Sequence, residues 1–217
     1  MYALVRKTKL AAAGAAEEAA RRVREGAVPI LRDQPGFRLH LGFVSEASEA
    51  VGVSLFDDRT AAQAALGRLR AWAAAAMADL MESEPEVRGG EVVHRRAPAS
   101  RLGAGEGEAL FVTVREYEGV GASEAAMPLL GERVVPMMEG QPGFRGFWAF
   151  CDERDPGHAV SVSLWANRGA AFAAHQRVAE AMEALRDVFP APPKVTAGAA
   201  RLVAAAAAPT NAAEGPG

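Results

Sequence analysis

A single cysteine, Cys151, is all the thiol chemistry that this 217-residue chain carries. It rules out an internal disulfide and a cysteine-only metal site, and it predicts a reducing, cytoplasmic setting. Charge of one sign is also lacking: 24 basic against 27 acidic residues leave a net charge of −3, so no basic face invites a nucleic acid. No apolar run approaches the roughly 20 residues that span a bilayer, so no membrane association is expected. Arg6, Lys7 and Lys9 precede an alanine-rich stretch in the manner of a secretion signal, but Glu17, Glu18, Arg21 and Arg22 interrupt it. The four histidines, His40, His94, His158 and His175, are scattered and form no metal-ligand spacing. The glycines of Gly103-Ala104-Gly105-Glu106-Gly107 precede a strand and not a helix, which excludes a phosphate loop, and no Gly-x-Ser-x-Gly nucleophile motif occurs. Asp57-Asp58 reads as a helix-start cap pair. No metal and no cofactor is expected from these patterns.

What the chain does have is a long internal repeat. Val28-Pro29-Ile30-Leu31-Arg32-Asp33-Gln34-Pro35-Gly36-Phe37 returns as Val135-Pro136-Met137-Met138-Glu139-Gly140-Gln141-Pro142-Gly143-Phe144, with six of ten positions identical at an offset of 107 (Gln34 to Gln141). A second block, Ala50 to Ala62, returns as Ala159 to Ala171 with eight of thirteen positions identical at an offset of 109. A period that long marks a duplicated domain and not a short solenoid unit. The two-residue change of offset falls between Phe150 and Ala159, in a loop whose Asp155-Pro156-Gly157 reads as a turn.

Each copy predicts strand, helix, strand, strand, helix, strand. In the first, strands are expected over Tyr2–Thr8, Phe37–Val44, Ala50–Phe56 and Glu91–His94, with helices over Ala15–Arg32 and Arg59–Met81. Gln34-Pro35-Gly36 ends the first helix and Asp58 caps the second. In the second copy, strands are expected over Leu110–Tyr117, Phe144–Cys151, Ala159–Trp165 and Lys194–Val203, with helices over Glu124–Glu139 and Arg168–Val188, Asn167 taking the place of Asp58. The organisation expected is a module over residues 1–96, a glycine- and proline-bearing linker over 97–108, a second module over 109–204 and a frayed tail over 205–217. The fold class is α+β: two tandem ferredoxin-like βαββαβ modules packed sheet to sheet as an internal pseudo-dimer, with exposed edges through which two chains could still pair.

Strand alternation sorts the side chains into faces. Val51, Val53 and Leu55, with Val160, Val162 and Leu164, are expected beneath the helices. Gly52, Ser54 and Phe56, with Ser161, Ser163 and Trp165, are expected to face the partner sheet. The mixed sets containing Arg38 and His40, Arg145 and Phe147, and Phe111, Thr113, Arg115 and Tyr117 join them there. Trp148 falls on the apolar parity and is expected in the core. A cavity of aromatic and polar groups between the sheets is the expected ligand site, although the same residues also serve as plain interface packing. On the last helix, Phe172, His175, Ala179 and Met182 form an apolar stripe that points His175 inward, whereas the first copy has Leu66 there. His175 is then a general base, an axial ligand, a substrate hydrogen-bond partner or simply a core histidine.

Pro136 to Phe144, Val160 to Trp165 and Arg168 to His175, with Pro29 to Phe37 and Val51 to Phe56, resemble the antibiotic biosynthesis monooxygenase-like family of dimeric α/β barrels. The resemblance covers nearly all of the chain except linker and tail. It implies a pocket for a flat, small aromatic or apolar molecule and, in the oxygenase branch, a cofactor-independent attack of a quinol or anthrone anion on dioxygen. Under it, His175 is the catalytic base or orienter and Trp165 a stacking wall. Arg115 and Tyr117 are polar handles, and Phe147 and Ser163 complete the substrate site. Two alternatives stand beside it: a non-catalytic ligand-binding or stress-related module, and a haem-binding protein. The haem-degrading branch pairs its histidine with an asparagine and a tryptophan that Thr113 and the stretch 167–175 do not supply.

Overall fold

The computed structural model describes residues 1–12, 14–96, 110–121 and 123–206. The linker expected over 97–108 lies outside them, as does the expected tail except for Ala205 and Ala206. The first half runs β1 (Tyr2–Lys9), α1 (Ala15–Arg22), α2 (Val28–Arg32), β2 (Phe37–Val44), β3 (Glu49–Phe56), α3 (Arg59–Ala76), β4 (Glu86–Glu91) and β5 (His94–Arg96). The second runs β6 (Phe111–Tyr117), α4 (Ser123–Leu129), α5 (Val135–Glu139), β7 (Phe144–Asp152), β8 (Asp155–Trp165), α6 (Arg168–Glu183) and β9 (Lys194–Ala205).

Local chemistry explains the boundaries. Asp58 accepts a hydrogen bond from the Ala61 amide at 2.8 Å and Asn167 from the Ala170 amide at 2.9 Å, so both expected caps are present. Gly36 and Gly143 take φ of 79° and 81°, the left-handed turn that each Gln-Pro-Gly-Phe segment requires. A one-turn π segment, Val23–Ala27 or Leu130–Val134, joins α1 to α2 and α4 to α5. Each sits just before a Val-Pro pair, where proline cannot donate to the preceding turn and the wider turn accommodates the lost bond. Two expectations need correction. The turn between β7 and β8 falls on Glu153-Arg154, and Asp155-Pro156-Gly157 begins β8 instead. The fourth strand of the first half begins at Glu86, five residues before the expected start.

All strand pairs are antiparallel, in the order β4-β1-β3-β2-β9-β6-β8-β7-β5. The ends of that order are consecutive in the chain, so the sheet curls round and closes on itself. β9 makes the opposite junction: Lys194–Ala199 pairs with β6, and Ala200–Ala205 pairs with β2. β4 and β5 mirror this, pairing first with β1 and then with β7.

The faces are the reverse of those expected. Val51, Val53, Leu55, Val160, Val162 and Leu164 pack with Leu39, Leu41, Trp148 and Phe150 in one cluster drawn from both halves and containing no helix residue. Trp165, Phe147 and Tyr117 instead pack against α4, α5 and α6. The inside of a closed barrel is narrow and dry, so aliphatic and aromatic side chains make up most of its filling. The outer face meets helices across clefts with open ends, and the arginine, serine and histidine side chains lie there. The aromatic and polar residues therefore line no space between the halves; they lie between sheet and helices.

Inside the barrel one polar contact stands out. Lys7 forms an ion pair with Glu116, with side chains 6% and 5% exposed, and His158 Nε2 lies 3.8 Å from the same carboxylate. Lys7 and Glu116 are 109 residues apart, the offset of the repeat.

Candidate functional site

The cleft between sheet and helices in the second half has a volume of about 420 Å³, within the range of small-ligand sites. Arg115 on β6 forms its floor, Val178 and Met182 of α6 its roof, and Phe189 with Pro190–Pro193 its outer wall. Arg115 is only 2% exposed. One guanidinium nitrogen donates to Ser163 Oγ at 3.2 Å, and the other lies 3.5 Å from His175 Nδ1. Its Nε is buried with no partner, and among the described residues no carboxylate pairs with it. Burial pulls its pKa below the ordinary arginine value, partly opposed by Tyr117. An unneutralised cation held out of water is expensive, and a bound anion offsets that cost.

His175 stands at the mouth of this cleft and is exposed on one side. The stripe of α6 that faces the sheet is Ala171, Ala174, Val178 and Met182; Met182 is as expected, and the other three are one position off the expected Phe172, His175 and Ala179. Phe172 is 54% exposed, under the Arg168 guanidinium at 5.1 Å. Partial burial and then the Arg115 charge both lower the pKa of His175, so the imidazole is neutral at pH 7. Because Arg115 can only donate, Nδ1 is the accepting nitrogen, and the tautomer that fits carries its proton on Nε2.

The structure brings together Arg115, Ser163 and His175. It does not bring the aromatic residues to the cleft. Trp165 is fully buried, edge-on to Phe144 at 5.5 Å, and its indole nitrogen donates to Ser163 Oγ at 3.0 Å, so it fixes that hydroxyl and stacks on nothing in the cleft. Phe147 is 1% exposed in the core beneath the helices. Tyr117 is 2% exposed and touches the cleft only through Phe189, 5.2 Å away, while burial raises its phenol pKa. Of the other residues assigned to the mixed faces, Arg38 pairs with Asp57 at the surface. Phe189 and the prolines after it were missed. Among the described residues no cluster of three or more His, Cys, Asp or Glu could hold a metal ion, and no helix is long and apolar enough to cross a membrane.

The first half has a cleft of about 410 Å³ at the corresponding place, floored by Arg6, with Leu66 where His175 stands. The 109-residue offset relates Arg6 to Arg115, a signal in the repeat that sequence reasoning left unused. Beside Arg6, His40 is 1% exposed and its Nδ1 lies 3.0 Å from Ser54 Oγ. Burial, then the Arg6 charge, pushes its pKa down to about 3. The unfolded chain therefore takes up this proton first as pH falls. Stability should decline from about pH 6.5 towards pH 3, and His40→Gln should remove that component in urea unfolding followed across the range. An unchanged difference curve would show His40 to be charged in the native state.

Residues 120–187 match the family described as Antibiotic biosynthesis monooxygenase. No curated protein matches the sequence. Among solved structures, a candidate monooxygenase from Fusobacterium nucleatum superposes with a TM-score of 0.75 at 9% identity, covering 94% of each chain. One from Lactobacillus acidophilus gives 0.71 at 12% identity, covering 94% of this chain and 95% of that one. An anthrone oxidase-like protein gives 0.68 at 13% identity, covering 98% and 96%. At these identities the likeness is one of fold, spread over nearly the whole chain. The family match over residues 120–187 falls within that shared fold, in the half that holds the 420 Å³ cleft.

Proposed function

We propose that the chain is a cofactor-independent oxygenase for a small aromatic of the quinol or anthrone type, bound in the cleft of the second half. The observation that carries this reading is Arg115, a buried cation without a carboxylate partner at the floor of a 420 Å³ cleft. Such a floor favours the deprotonated form of an enolisable or phenolic substrate. Ser163 holds one arm of the guanidinium, and the Nε2–H of neutral His175 is placed to donate to the developing anion. This makes His175 an orienter more than a base. The anion gives an electron pair to dioxygen; for an anthrone, the methylene becomes a carbonyl and the second oxygen atom leaves as water.

The same reading takes the chain as two fused ferredoxin-like modules forming an internal pseudo-dimer. The repeat offsets, the paired caps and the paired π segments support it. A second reading, a binding module without turnover, is favoured by one observation: His175 lies at an open rim and not in a water-excluded pocket.

Oxygen uptake with a panel of quinols and anthrones tests both readings. Arg115→Gln should lower kcat/KM about 100-fold and His175→Ala about tenfold. Turnover unchanged in Arg115→Gln would end the proposal, and binding without oxygen uptake across the panel would select the second reading.

A further inference from the structure

The first half carries a further feature beside its cleft. Behind Arg6, between the sheet and helices α1 and α3, lies a chamber of about 110 Å³. Arg6, Ala73, Met81 and Pro85 line both this chamber and the 410 Å³ cleft, so the guanidinium sits at their junction. The chamber walls are mostly apolar and include Val23, Trp72 and Met77, with His40 on the strand side and Lys7, Thr8 and Arg201 also among the lining residues. The Trp72 indole comes so close to the main chain of Gly26 that any Cβ there would overlap it, at 2.2 Å from Nε1.

Small residues keep the space open. At the repeat offsets, Ala20, Val23 and Ala27 correspond to Met127, Leu130 and Val134, and His40, Gly42 and Gly52 correspond to Phe147, Ala149 and Ser161. Met127, Leu130, Val134 and Phe147 are all buried in the second-half core, so larger side chains occupy that region there. A Cβ on Gly52 would meet both the Arg6 guanidinium and the His40 ring at 3.3 Å. The two halves therefore differ in built space and not only at His175.

We infer that the first half is a separate binding site for a compact apolar monocarboxylate, with the carboxylate on Arg6 and the hydrocarbon body against Trp72 and Met77. Charge selects the ligand class. The Arg6 Nε is buried without a partner, and among the described residues no carboxylate pairs with this guanidinium. His40 adds no competing charge, since burial and Arg6 hold it neutral. Size selects a small body: apolar cavities of about 150 Å³ accept benzene, and this chamber of about 110 Å³ shares Arg6, Ala73, Met81 and Pro85 with the neighbouring cleft. Arginine holds a carboxylate through two parallel hydrogen bonds, a match that a neutral alcohol does not make.

Benzoate is the probe, titrated calorimetrically into the full chain with benzyl alcohol as the uncharged comparison. One benzoate per chain should bind with Kd of about 0.1–1 mM, and benzyl alcohol at least about tenfold more weakly. Arg6→Gln should weaken benzoate about tenfold or more. Gly52→Ser, which installs the residue that the second half carries at the matching place, should abolish binding while leaving the unfolding transition intact. Arg115→Gln should leave intact the binding that Arg6→Gln removes, which keeps this site distinct from the proposed oxygenase cleft. Absence of binding, retention of full affinity in both first-half variants, or an equal loss in Arg115→Gln would overturn the inference.

Discussion

Replacing Lys7 with methionine should lower the unfolding free energy by about 3–5 kcal/mol, because it strands the Glu116 carboxylate inside the barrel. The pair is almost completely buried, and the other ionisable neighbour described for Glu116 is His158, 3.8 Å away. Lys7→Met combined with Glu116→Leu should recover most of that loss, since two aliphatic side chains suit the surrounding packing. Exchanging the charges, Lys7→Glu with Glu116→Lys, should recover a large part as well. Urea unfolding of the four proteins at pH 7 measures the coupling. If the single variant loses less than about 1 kcal/mol, the pair is reached by water and behaves as a surface bridge.

Gly90→Ala should be the most damaging single methyl group in the chain. A Cβ at this position would lie 2.0 Å from the Cys151 carbonyl oxygen, a backbone atom that cannot rotate away. Gly198, the counterpart, would meet Phe43 and the Val44 carbonyl at 2.7 Å. These glycines mark the points where each half's last strand leaves its own sheet and meets the other's. Strand separation there opens the barrel, and the expected loss is about 3 kcal/mol or more. Gly67→Ala, in α3 with nothing within 4 Å of its added carbon, should instead stabilise by about 1 kcal/mol. Equal melting temperatures for the two variants would show that the strand crossing adjusts freely.

Much of this architecture was legible in the chain. Phe37–Val44 appears as a strand with the expected limits, and both helix caps sit where a short polar residue precedes Arg-x-Ala-Ala. Those signals are local and depend on proline, glycine and cap chemistry. The orientation of the faces was not legible, because alternation separates two sets without saying which is inside. Closure of the sheet decides that, and closure depends on where β4 and β9 travel. The angle of His175 was misjudged for a different reason. Helix α6 is so rich in alanine that adjacent stripes are almost equally apolar, and a one-residue error of phase moved the imidazole from the interior to the rim. Arg115 and Ser163 were placed on one face by alternation but were expected towards the partner sheet; they meet on the helix side as diagonal neighbours, since Thr113 faces Ser163 and Arg115 faces Ser161. Trp165 was read as a ligand wall from its place in the serine-and-aromatic set expected to face the partner sheet; in the fold that set lies under the helices, and the indole nitrogen donates to Ser163.

The crossing strands make the two halves clasp each other like hooked fingers. β9 begins against β6 and ends against β2, and the 86–96 run does the reverse. Neither half keeps a complete sheet if the other is withdrawn, so unfolding should proceed as one event. Because that shared frame is held by residues facing inward, each outer cleft is free to drift in sequence without loosening its neighbour, and a single polypeptide can then carry two unlike binding surfaces.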